Sequence, residues 1–113
     1  MKLGILIVYL VDETNESLLE LQLQLLRRFT KIPYRIFATA IRSSEQAKGI
    51  MRASANLELL NLPPSPFPLP AKEHSHFLTL LTDHAVKTDV THLVTMHLDS
   101  FPLQENWDSG LIQ

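Results

Sequence analysis

The chain alternates between short, uninterrupted apolar runs and longer stretches whose apolar residues recur at helical spacing. Leu3 to Val11 is a continuous run without polar alternation, the pattern of a central strand covered on both faces. Thr14 or Asn15 is placed to cap a following helix, and Glu16 suits its positive first turn. Leu18, Leu19, Leu23, Leu25, Leu26 and Phe29 then recur at helical spacing, with Arg27, Arg28 and Lys31 at the negative end. After Pro33, Tyr34 to Ile41 predicts a second strand. Ser43 or Ser44 caps a short helix from Glu45 to about Ala53, weakened in its middle by Gly49. Leu57 to Leu60 predicts a third strand. Ala71 to Lys87 returns to helical spacing through Phe77, Leu78, Leu81 and Val86, and Leu93 to Met96 predicts a last strand. The sum is β-α-β-α-β-α-β, with every crossover long enough for parallel pairing. The expected fold is therefore α/β: one domain over residues 1–113, three-layer and doubly wound around a mostly parallel sheet.

Leu62 to Pro70 interrupts this pattern, with five of the chain's seven prolines in nine residues. Proline lacks the backbone donor and fixes φ, so the stretch is neither helix nor central strand. It reads as a stiff, extended surface connection, with an SH3-type ligand as the other reading.

Composition narrows the class of function. At 113 residues, 45% hydrophobic and 19% charged, the chain can bury a core of its own. A net charge of -2 provides no basic footprint, so nucleic acid is not an expected partner. Without cysteine there is neither a disulfide framework nor a thiolate metal site. The first apolar run is too short to span a bilayer and runs directly into Asp12 and Glu13 without a small-residue cleavage site. A cytoplasmic protein without a transmembrane segment is the expectation.

The chemistry concentrates at the end of the last strand, in T-H-L-V-T-M-H-L-D-S-F-P from Thr91 to Pro102. Open α/β sheets place their ligands at the carboxyl ends of strands. Residues two apart on an extended chain face the same side, so His97 and Asp99 can meet one ligand together. An imidazole and a carboxylate suit a borderline or hard divalent cation.

A strand ending in D-x-D, then a small residue, an aromatic, a proline and a tryptophan a few residues on, marks the GT-A nucleotide-sugar glycosyltransferases. His97-Leu98-Asp99, followed by Ser100-Phe101-Pro102 and Trp107, resembles that signature, and the order of preceding elements extends the resemblance over nearly the whole chain. Asp99 matches the second, metal-binding acid; His97 stands where the first acid usually sits. The resemblance implies strand order 3-2-1-4 and a divalent metal, Mn²⁺ or Mg²⁺, held at Asp99 and His97. Its implied partner is a nucleoside-diphosphate sugar. It places Val11, Asp12 and Glu13 near base and ribose, beside the metal corner. Arg42, after the second strand, is a candidate phosphate partner.

All five histidines lie between His74 and His97. His74 and His76, in the first turn of the third helix, are further candidate metal ligands or diphosphate contacts. His84 and His92 carry no assigned role. The chain ends six residues after Trp107, whereas the family resembled has a second half that supplies acceptor site and general base. The domain is thus expected to be the donor-binding half, transferring sugar only when a partner or a missing half completes it. The alternative is a non-catalytic α/β interaction module that kept the fold and lost the activity. Either way, a truncated sheet with an uncovered edge predicts a homo-oligomer.

Overall fold

The computed structural model describes residues 2–98. Seven elements follow in the expected order: β1 (Leu3–Val8), α1 (Glu16–Phe29), β2 (Tyr34–Thr39), α2 (Glu45–Arg52), β3 (Leu57–Leu59), α3 (Pro70–Ala85) and β4 (His92–Met96). The four strands form one sheet in the order β3-β2-β1-β4, and each pairing is parallel. Because β1 is central, both its faces need covering, which accounts for its unbroken apolar sequence.

Alternation along β1 assigns the two faces. Leu3, Ile5 and Ile7 pack with Leu19 and Leu26 of α1 and with Ala47 and Met51 of α2. Leu6 packs on the opposite face with Phe37, Leu81 and Ala85, under α3. The result is three layers, α1 and α2 on one side of the sheet and α3 on the other. Gly4 lies opposite Leu93 in the register of β1 with β4. A Cβ there would stand 2.9 Å from Leu93 Cδ2 and 3.4 Å from Phe37 Cε2, so its missing side chain makes room for both.

Several element ends fall short of the sequence pattern. β1 stops at Val8, not Val11: its register with β4 ends at Ile7 opposite Met96 and its register with β2 ends at Val8 opposite Thr39. Tyr9 N–H still donates to Thr39 O (2.9 Å), and the chain then turns to bury Val11. Asn15 holds the N-cap position of α1, but its side chain does not cap the helix; Oδ1 accepts instead from Asp12 N–H (2.7 Å). Ser44 does cap α2, its hydroxyl accepting from Ala47 N–H (3.1 Å). Helix α3 begins at Pro70, whose fixed φ and missing donor suit the first helical position. None of the described helices is long and apolar enough to cross a membrane.

Candidate functional site

In a 3-2-1-4 sheet the chain leaves β1 in one direction and β4 lies on its other side, so a crevice opens above their carboxyl ends. A groove of about 420 Å³ lies there, lined by Val8 and Leu10 after β1, Asn15 and Leu18 of the α1 start, His74 of α3, and His97 and Leu98 after β4. It adjoins a hollow of about 340 Å³ that shares Val8, Leu10 and His74 and adds Arg42, Glu73, Pro68 and Pro70. The floor is apolar, and Leu10 is 56% exposed.

Two of the four histidines and acids predicted for a metal come together here. The rings of His74 and His97 stack at 5.4 Å between centroids with 18° between planes. Alternation along β4 explains this: Val94 and Met96 pack into the α1 side of the core, which turns His97 towards α3. His76 does not join them. It is two residues beyond His74, on another side of the helix, and its ring meets Phe67 (5.5 Å) and Phe77 (5.7 Å). Among the described residues no three histidines or acids gather into a metal-holding group. Asp99 lies outside the described residues.

The remaining predicted contacts are engaged locally. Val11 is fully buried, its N–H donating to Ser43 Oγ (3.0 Å) and its carbonyl accepting from Ser44 N–H (2.8 Å), so its side chain does not line the crevice. Asp12 Oδ1 accepts from Thr14 hydroxyl (2.6 Å) and N–H (2.9 Å), closing the loop on itself. The Thr14 hydroxyl holds the Asp12 carboxyl below its ordinary range, helped by the Thr14 N–H. Glu13 is exposed. Arg42 reaches the crevice but grips Glu73 through two nitrogens, Nη2 to Oε2 at 2.8 Å. That hydrogen bonding lowers the carboxyl of Glu73 and raises the guanidinium of Arg42 from their ordinary values. A phosphate would have to displace Glu73 to be paired by Arg42.

One residue escaped the sequence reading. Gln22 is completely buried in the middle of α1. Its Oε1 accepts from the Tyr9 hydroxyl (2.7 Å), and its Nε2 donates to the backbone carbonyl of His97 (2.7 Å). This bridge ties the ends of β1 and β4 together through the helix beneath them, and it holds the His97 corner by its main chain. The signal was present: Gln22 lies three residues after Leu19 and four before Leu26, a polar residue on the apolar stripe. A buried amide at such a position must be hydrogen-bonded. At the neighbouring strand end, the buried Thr39 hydroxyl finds no partner among the described residues.

His84, also spaced like a core residue, is half-buried: Nε2 lies 2.7 Å from Glu58 Oε2 and its ring meets Phe37 edge-on at 5.5 Å. It braces α3 against β3, away from the crevice. No protein-family model matches the chain, and no significant match was found among curated proteins or among solved structures.

Proposed function

We propose that the crevice above β1 and β4 is a nucleoside-diphosphate-sugar site of the GT-A kind, within a glycosyltransferase-like domain. The observation that carries this reading is the parallel order β3-β2-β1-β4, which sets the loop after β1 beside the His97 corner. His74 and His97 are the described side chains suited to a cation, with Asp99 two residues on. Two imidazoles and one carboxylate make a borderline donor set, better matched to Mn²⁺ than to Mg²⁺, which prefers oxygen ligands throughout. Bound there, the cation would offset the charge of the diphosphate. The polypeptide side contributes an apolar floor at Val8 and Leu10 and an Arg42 that exchanges Glu73 for phosphate.

The test is a thermal-shift titration with UDP-, GDP- and CMP-linked sugars, each with Mn²⁺ and with chelator. A ligand that binds only the folded state stabilises it by about 2.7 kcal/mol at a hundredfold excess over Kd. The expected result is a manganese-dependent rise for one nucleotide, abolished in Asp99→Ala and weakened in His97→Ala. His97→Ala keeps the carbonyl that Gln22 holds, so the fold survives the substitution. Unchanged binding by Asp99→Ala would remove the metal role.

The second reading, a non-catalytic interaction module, is favoured by a different observation. Arg42 and Glu73 neutralise each other, while Leu10 and Leu93 (41% exposed) present apolar surface at the crevice and on β4. β4 is an edge strand among the described residues, and an open edge is a template for pairing with another chain. On this reading no nucleotide shifts the melting temperature and the protein sediments as a dimer. Sedimentation as a monomer at high concentration would discard self-association through that edge.

A further inference from the structure

From the connection between β3 and α3 we infer a second interaction site: a polyproline ligand, carried on the body of the domain, for a partner with an aromatic-lined groove. Every residue from Leu62 to Pro70 is either a proline or precedes one. Proline holds its own φ near -65° and pushes the residue before it out of the helical region. Both constraints therefore act along the whole strap, and each favours polyproline II. Leu69, at φ -87° and ψ 132°, conforms.

Between residues 62 and 67 burial follows the three-residue turn of that helix, and the pattern ends at Pro68, the next position in the series, which is exposed. Leu62 and Ser65 are partly buried, while Pro63, Pro64, Pro66 and Phe67 are exposed. Leu62 anchors the strap by packing into the cluster of Leu6, Phe37 and Leu81. With Leu62 and Ser65 turned inward, Pro63 and Pro66 form an outward ridge with P-x-x-P spacing. The course bends at Pro66 and again at Pro68–Leu69 before α3 begins.

The backbone is equally accessible. Leu60 N–H donates to Ala38 O (2.8 Å), the last tie to the sheet. Among the described residues, the only hydrogen bond within 61–68 is Phe67 N–H to Ser65 Oγ (3.1 Å). Among the described residues no protein donor reaches the carbonyls of residues 61–68, whereas Leu69 O accepts from Glu73 N–H (3.0 Å). Polyproline grooves recognise this combination: ring edges lodge between aromatic side chains, whose N–H and O–H groups donate to the ligand carbonyls. The ordering cost is small because the prolines have already restricted the chain. Phe67, 41% exposed with its ring against His76, adds an apolar contact beside the ridge. This site is independent of the nucleotide reading.

The test titrates the full chain into isotope-labelled SH3, WW and EVH1 domains, followed by NMR. Expected are shifts confined to the groove aromatics of at least one domain type. The double variant Pro63→Ala/Pro66→Ala should bind it about tenfold more weakly or worse. Pro64→Ala, on the neighbouring exposed ridge, serves as a second variant, and an unchanged melting temperature in both shows that the fold is intact. Absence of shifts for all three domain types at millimolar protein overturns the proposal. So does binding by the double variant with wild-type affinity.

Discussion

Gln22→Leu should lower stability by about 2–4 kcal/mol, although the substitution makes the helix face more hydrophobic. The substitution leaves the Tyr9 hydroxyl buried without its acceptor and takes away the donor to the His97 carbonyl. Leaving a buried partner unpaired costs more than the hydrogen bond was worth. Tyr9→Phe removes only one end and should cost about 1–2 kcal/mol. The double variant should be less destabilised than the sum, because the Tyr9–Gln22 bond is lost only once. Urea denaturation measures all three, and a Gln22→Leu midpoint equal to wild type would show that the bridge does not form. The bridge also sets an alkaline limit. Burial raises the Tyr9 hydroxyl above its ordinary value of 10.0. The folded state therefore holds this proton more tightly than the unfolded chain. That contribution is intact below the ordinary value and is lost as pH rises through the folded one. The loss has a slope of about 1.4 kcal/mol per pH unit, and Tyr9→Phe should flatten it.

Phe37→Ala should cost about 3–5 kcal/mol, the largest single loss expected from the core. Its ring is fully buried between the sheet and α3, packed with Leu6, Leu81 and Ala85 and met by His84. The cavity would lie where α3 docks, and α3 has few other large buried contacts: Phe77 and Leu81 are its fully buried large side chains. α3 carries both His74 and Glu73 into the crevice. A loosened helix should therefore weaken any manganese-dependent nucleotide shift before the protein unfolds. A midpoint within about 1 kcal/mol of wild type would mean that α3 is held by something other than this cluster.

Much of the architecture could be read from the residue pattern, because the period of hydrophobicity reports how a segment is covered. The unbroken apolar run from Leu3 marks a strand enclosed on both faces, and β1 is that strand. Ser44 was legible as a cap because its hydroxyl acts on a donor three residues away. The strand ends were less legible. Residues 9–11 are as apolar as the strand before them, yet β1 stops at Val8 because its pairing with β2 ends there, not its hydrophobicity.

The candidate site divides along the same line. Sequence spacing placed His97 and the loop after β1 at strand ends, and a right-handed parallel topology leaves few ways to arrange those ends. What His74, His76 and Arg42 do was not legible. His74 and His76 differ by two positions, about 200° around a helix, and only the docking angle of α3 decides that His74 meets His97 while His76 meets Phe67. Arg42 and Glu73 lie 31 residues apart, and their pairing follows from where the proline strap returns the chain.

The sequence by itself determined the order and type of elements, the buried centre of the sheet and the stiffness of the strap, since each is set by neighbours within a few residues. Tertiary structure alone decided which polar groups are already matched. Arg42 closes on Glu73, and Gln22 joins Tyr9 to His97. Hydrogen bonding acts over about 3 Å between groups far apart in the chain, so its outcome depends on packing that no local pattern encodes.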